Sequence, residues 1–373
     1  MECQYFGQCG SCTLYEQSYE EQVAGKRKRV ADLLAPFFSE ELTVFTAAES
    51  HYRSRAEFRI WHTGDRCDYA MGNATKDGSV IIDACPKVTE PIARRMAPLL
   101  EAINASEVLG RKLFAVEFLA TTTDEVLVTR IYHRRLDAAW EEAARPLEEN
   151  LNIHIIGRSR KQKVVLSQDH VTETLTIKNI PYHYRYYEGG FTQPNPAVNT
   201  QMISWAADQA QKIGGGDLLE LYCGLGNFTL PLSRHFDRVL ATEVSKNSIR
   251  AAKENVELNG TENVTFVRMS SEEMVEAFAG VRPFRRLAEV DLNGYDFSTV
   301  LVDPPRAGLD PATIELVTRF SHILYISCNP ETLARDLKRL ILTYDVYKVA
   351  FFDQFPHTYH LESGVFLKKK EDY

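Results

Sequence analysis

No stretch of this chain approaches the ~18 consecutive apolar residues that a bilayer-spanning helix needs, so a membrane protein is not expected. The opening MECQYFGQCG lacks a basic segment followed by an apolar one, so no secretion signal is expected and the cytosol is the expected compartment. Excess positive charge is missing too: 43 Lys and Arg stand against 51 Asp and Glu, a net −8. A wholly basic RNA-coating protein is thereby excluded, while local basic blocks are not. Four such blocks exist, KRKR (26–29), RSR (53–55), RSRKQK (158–163) and KKK (368–370). A run of this kind is most often only a solvated face. An even set of cysteines is also absent. Seven of them in a chain expected in the cytosol do not make a disulfide framework, which leaves metal binding or catalysis as the questions to ask. Repeats at solenoid spacing and low-complexity tracts are lacking as well.

What is present is a globular composition, 44% apolar and 25% charged, in a chain of 373 residues, too long for one ordinary core. Residues 1–50 read as a cysteine-rich lead followed by an amphipathic helix over 17–34, with Tyr19, Val23, Val30 and Leu34 on its apolar side. Residues 51–185 change texture. AEFRIWH, GSVIID, FAVEFLATT, EVLVTRIYH and VVLSQ alternate apolar with polar types, which predicts an antiparallel β-unit with helices near 87–105 and 137–149. From 186 to 373 strands and helices alternate, as in DLLELY, RVLATE, SKNSIRAAKENVELNG and STVLVDPPR. That order predicts an α/β domain with a doubly wound, mostly parallel sheet.

Ligands of open parallel sheets bind beyond the carboxyl ends of the strands. Gly224 and Gly226 follow the first such strand in LYCGLGNF, and Glu243 ends the next, where a carboxylate suits the two hydroxyls of a ribose. Thr229 stands where a third glycine would complete G-x-G-x-x-G, which favours S-adenosylmethionine over a dinucleotide. Cys328 closes the strand HILYIS just ahead of a helix, and a helix start favours a thiolate. DPPR (303–306) and FDQFPHTYHLE (352–362) add Asp303, Arg306, His357, His360 and Glu362, without the tight ligand spacing of a zinc motif such as H-E-x-x-H.

FTQPN (191–195), LELYCGLGNF (219–228), VDPPR (302–306), SCNPETL (327–333) and FDQFPHTYHLE (352–362) together resemble the ordered motif set of the RNA m5U methyltransferases. HYRSRAEFRIWH (51–62) and RKLFAVEFLATTT (111–123) resemble the tRNA (uracil-5-)-methyltransferase branch. The resemblance implies a Rossmann-like S-adenosylmethionine-dependent methyltransferase domain preceded by a β-rich RNA-binding domain. The substrate it implies is the T-loop uridine at position 54 of tRNA, with the tRNA-like part of tmRNA. It further implies Cys328 as nucleophile, Glu362 as proton acceptor, donor contacts from Gln193, Tyr222, Asn227, Glu243 and Asp303, and RNA contacts from Arg59 and Phe114. No obligate protein partner is indicated.

Cys3, Cys9 and Cys12 form C-x5-C-x2-C, with Cys85 far downstream. This order resembles the [4Fe–4S] motif of the related 23S rRNA m5U methyltransferases, which keeps a cluster-bearing 23S rRNA enzyme as the alternative. Zinc or free thiols are the other readings, and Cys67 is a substitute for Cys85 as fourth ligand. Cys223 is expected to pack beneath the glycine loop.

Overall fold

The computed structural model describes residues 1–371. Its largest sheet has eight strands in the order Thr43–Phe45, Tyr344–Phe352, Glu362–Lys369, His322–Ser327, Phe297–Val302, Asp217–Leu221, Arg238–Thr242 and Val264–Val267. Runs such as DLLEL are buried at every residue, as a strand covered on both faces must be. Successive residues serve opposite faces: Leu219, Leu221, Val300 and Val302 enter one core, Leu218, Leu301 and Leu324 the other. Helices start where the sequence supplies caps. Ser245 accepts from Ser248 N–H ahead of Lys246–Leu258, and Ser270 and Glu273 form a reciprocal capping box ahead of Ser271–Phe278. The expected Rossmann-like α/β architecture is present.

Two features of this sheet depart from a simple alternation. Glu362–Lys369 runs antiparallel to both of its neighbours, slotted between His322–Ser327 and Tyr344–Phe352. Thr43–Phe45, from the segment read only as a lead, pairs parallel to Tyr344–Phe352 and forms the sheet edge. The helix before it, Tyr19–Leu34, falls where expected, but its buried row is Gln22, Lys26, Val30 and Leu34. Lys26 of the KRKR block is thus inside, not on a solvated face.

The second sheet has seven strands in the order Ser79–Ile82, Arg66–Gly72, Arg55–Thr63, Leu113–Ala120, Val126–Tyr132, His154–Ser159 and Gln162–Val165. It is antiparallel except where Val126–Tyr132 and His154–Ser159 run parallel, joined through the helix Ala138–Leu151. That helix and Glu90–Asn104 supply the Trp140, Ile92, Met96 and Leu99 side chains of a core shared with Phe58, Tyr69 and Phe118. Between the two sheets stands a hairpin, His170–Ile177 and Ile180–Tyr187, whose Val171, Leu175, Tyr182, Tyr184 and Tyr186 pack into a core of the eight-stranded sheet. Its turn is Lys178-Asn179, both left-handed (φ 50° and 66°), a two-residue turn made without glycine.

Candidate active site

Strand register assembles one rim. Leu221 pairs with both Thr242 and Val302, and Val302 pairs with Tyr325. Tyr222, Glu243 and Asp303 therefore leave the sheet side by side, with Cys328 a little beyond the last parallel pairing of its strand. The antiparallel strand then returns. Ser327 lies opposite Ser363, and Phe352 opposite Glu362, so the residue after Ser327 and the one before Ser363 meet at the same end.

A cavity of about 1190 Å³ opens on this rim, and Gln193, Tyr222, Asn227, Glu243 and Asp303 all line it. Cys328 and Glu362 are not part of its wall; they stand beside it at Asp303, whose charge acts on both. Glu243 is held from two sides: Gly224 N–H donates to Oε2 at 3.2 Å and Ser245 N–H to Oε1 at 2.7 Å. Gly224 and Gly226 take φ of +57° and +89°, which L side chains rarely adopt, and so form the tight loop that the carboxylate caps. Tyr222 is itself left-handed (φ 61°), and its hydroxyl donates to Ser271 Oγ at 2.7 Å. Asn227 exchanges two hydrogen bonds with Asn199 at 2.9 Å each, fixing its amide. Cys223 is buried, as expected.

The Asp303 loop is stapled to the helix Pro330–Leu340 that follows Cys328. Asn329 Nδ2 donates to Arg306 O at 3.1 Å, Arg335 Nη2 to Ala307 O at 2.9 Å, and Leu309 N–H to Asp336 Oδ2 at 2.9 Å. A Cβ on Gly308 would lie 2.7 Å from Arg335 Nη2 and from Asp336 Oδ2, so only glycine lets loop and helix close together.

Three groups at the rim hold protons more tightly than usual. Burial pushes Asp303 up to about 7. Burial, then the charge of Asp303, pushes Glu362 well above the carboxylate range. Cys328, half-buried, is pushed up to about 11 by burial and by Glu362 and Asp303, with Arg306 acting in the opposite sense. The sequence-based expectation of a thiolate at a helix start is thus corrected for the free protein. Asn329 does cap that helix, its side chain accepting from Glu331 N–H, but burial and two nearby carboxyl groups outweigh the dipole at the sulfur.

The family model for tRNA (uracil-5-)-methyltransferase matches residues 18–370. This chain belongs to that family. A tRNA/tmRNA (uracil-C(5))-methyltransferase of a Sulfurovum species is 64% identical over 371 residues, covering 99% of this chain and 100% of the relative. Its counterpart from a Nitratiruptor species is 54% identical over 369 residues, with 99% and 100% covered. Among solved structures, the Pyrococcus abyssi tRNA (uracil-54, C5)-methyltransferase in complex with S-adenosyl-L-homocysteine superposes with a TM-score of 0.74. It is 24% identical and covers 96% of this chain and 85% of that one.

Within this tRNA (uracil-5-)-methyltransferase family member, Arg59 and Phe114 are exposed on the seven-stranded sheet and do not line the cavity. Phe114 is 40% exposed and stacks on His133 at 4.4 Å, and Trp61 nearby on the Arg59 strand is 49% exposed. Among the described residues no helix is long and apolar enough to cross a membrane.

The expected iron–sulfur cluster does not fit. Cys3, Cys9, Cys12 and Cys85 do line one small space. Among the described residues no group of three or more His, Cys, Asp or Glu is placed to hold a metal ion. Burial raises the Cys9 and Cys12 thiols, and Lys87 opposes that rise. Cys67 is no substitute: it sits in the core of the seven-stranded sheet, its sulfur 3.6 Å from His62 Nδ1.

Sequence reasoning missed a set of residues behind the rim. Lys26 Nζ meets Asp353 Oδ1 at 2.6 Å, and both are buried. Gln354 Oε1 accepts from Asn195 N–H at 3.2 Å, tying the FDQFP and FTQPN motifs together. Ser54 N–H donates to Pro194 O at 2.8 Å, which fastens FTQPN to the seven-stranded sheet. The i, i+4 spacing of Gln22 and Lys26 was the available signal, masked by the surface look of KRKR.

Proposed function

We propose that this chain methylates C5 of a uridine in tRNA, the T-loop uridine at position 54, and the equivalent uridine of tmRNA, using S-adenosylmethionine. The observation that carries this reading is the meeting of Cys328, Glu362 and Asp303 beside a cavity whose wall includes Glu243 and the glycine loop. The relatives named tRNA/tmRNA (uracil-C(5))-methyltransferase support the base, and the Pyrococcus enzyme's uracil-54 supports the position. The cavity, about 1190 Å³, is of the size that takes a drug-sized ligand such as the donor, and Asp303 on its wall adjoins Cys328 and Glu362, where an extruded base would have to sit.

Glu243 would accept the ribose hydroxyls of the donor, with Gln193, Tyr222, Asn227 and Asp303 completing that side. When bound, S-adenosylmethionine supplies an electrophilic methyl group on a positively charged sulfonium. Uracil C5 is too weak a nucleophile to take it unaided. Cys328 first passes its thiol proton to solvent water, then its sulfur bonds C6, and the C5–C6 π pair moves onto C5 and O4 as an enolate. Arg306, the cation that opposes the rise of the Cys328 pKa, is placed to balance the charge gathered on the ring. C5 takes the methyl group. Glu362 then removes the C5 proton; that C–H electron pair forms the C5–C6 double bond, and the C6–S bond breaks to return a Cys328 thiolate. The raised proton affinity of Glu362 makes its charged form a stronger base than a solvated carboxylate, a contribution of about 10²–10⁴-fold for such help. Arg59, Phe114 and the Trp61 ring suit phosphate contact and base stacking by the RNA.

Mass mapping of an unmodified tRNA transcript after treatment with the enzyme tests this. One methyl group on C5 of the uridine at position 54 is expected. Methylation confined to 23S rRNA, or a methyl group on an exocyclic nitrogen, would contradict it.

A further inference from the structure

Glu362 is reached through the loop 353–361, and nearly everything that fixes the loop comes from outside its own sheet. The N-terminal helix supplies the largest share. Gln22 Oε1 accepts the His357 N–H at 2.9 Å, while its Nε2 lies 3.1 Å from His357 Nδ1 and donates to Leu14 O and Gln17 O at 3.0 Å. One turn on, Lys26 Nζ meets Asp353 Oδ1 at 2.6 Å and donates to Phe355 O at 2.9 Å. Arg29 Nη1 donates to Tyr359 O at 3.1 Å. The cysteine-bearing lead adds Thr13 and Leu14, whose N–H groups both donate to His357 O at 2.8 and 3.1 Å.

The arrangement reads as a clamp. Gln22, Lys26, Val30 and Leu34 form one buried row along the helix, apolar at its lower end and polar where it meets the loop. His357 takes φ of +63°, a conformation rare for a side-chain-bearing residue, and its backbone N–H, backbone carbonyl and both ring nitrogens are engaged. A lysine buried at 4% exposure against a carboxylate at 0% has no role on a surface, and its desolvation is offset only by what it holds in place.

We propose that Gln22 and Lys26 are positioning residues for Glu362: by pinning the 353–361 loop they set the carboxylate for removal of the C5 proton. This rests on the assignment of Glu362 as the base. Gln22 and Lys26 bond only the loop side, whereas the helix reaches the Cys328 side through Arg29 and Glu331, a pair that both variants below leave in place, so the step that uses Glu362 is the one Gln22 and Lys26 govern.

The two halves of the reaction separate experimentally with 5-fluorouracil-containing tRNA, because fluorine at C5 cannot leave as a proton and the methylated Cys328 adduct accumulates without Glu362. Gln22→Leu is compared with the double variant Lys26→Met/Asp353→Asn, which removes both buried charges together so that neither is stranded. Turnover on ordinary tRNA is expected to fall about 10²-fold, as misplacement of a reacting group typically costs. The adduct rate on fluorinated tRNA should stay within about twofold, and ordinary tRNA should now trap a covalent complex. Equal losses in both assays, or unchanged turnover in a folded variant, would overturn the proposal. Glu362→Gln run alongside distinguishes the two readings: if it leaves turnover intact, the assignment of the base fails, whatever the clamp does.

Discussion

On the donor side of the rim, Tyr222 and Glu243 stand at the ends of parallel strands and are fastened by Ser271, Gly224 and Ser245, groups on the loops and helix starts that follow the neighbouring parallel strands. On the acceptor side, Cys328 and Glu362 meet only because a late strand enters the sheet antiparallel, and the loop before Glu362 is fastened from as far away as residue 13. The donor side is built from neighbouring strand–loop–helix units of the parallel sheet. The acceptor side is a tertiary arrangement, and it is also where proton affinities are displaced, since a thiol and two carboxyl groups share one partly closed space. Asp303 belongs to both sides, so on the proposed reading binding and chemistry are expected to separate at Glu243 and Glu362.

The largest effect that would sharpen the contrast is in Glu362→Gln. Turnover should drop by about 10²–10⁴-fold with donor binding retained. The same variant should lower the alkylation midpoint of Cys328 from its raised position near 11, since Glu362 is, after burial, the strongest influence holding it there. Equal turnover, or an unmoved midpoint, would break the electrostatic account of the acceptor side. Glu243→Gln should do the reverse. Donor affinity should weaken by about tenfold to a hundredfold, the value of a charge-assisted hydrogen bond, while Cys328 alkylation stays as it was. Calorimetry of donor binding checks this.

The third expected effect is on stability. Folded Asp303 keeps its proton from the ordinary 3.8 up to about 7. Its contribution to the folded state is therefore present in full below about pH 4 and is lost as pH rises through about 7. Asp303→Asn should match the parent near about pH 3 and exceed it near about pH 8, by on the order of a few kcal/mol in denaturant unfolding. A constant offset across that range would contradict burial as the cause.

How much of this was legible in the sequence follows the same division. The parallel strands were, because runs such as DLLEL and STVLV are largely apolar and bounded by polar loops, and Glu243 and Asp303 followed from where those runs stop. Glu362 was not legible from pattern: its strand, ESGVFLKK, opens on Glu, Ser and Gly and ends on two lysines, and its partner is set by the whole sheet. It came from resemblance. The hairpin at 170–187 was missed because its turn, Lys178-Asn179, lacks the glycine that marks such turns. Lys26 was missed because a basic block looks solvated whether or not one member turns inward. The raised thiol of Cys328 was not foreseen because a helix start is visible in sequence, while the burial of the sulfur and the closeness of Glu362 and Asp303 to it are set by the tertiary fold.

The central claim is that Cys328 bonds the base. Intact mass analysis of the protein mixed with 5-fluorouracil-containing tRNA and S-adenosylmethionine tests it most directly. A covalent complex carrying one added methyl group, mapping to Cys328 and absent from Cys328→Ala, is the predicted result. RNA that binds tightly yet yields no such complex with the parent protein would contradict the account.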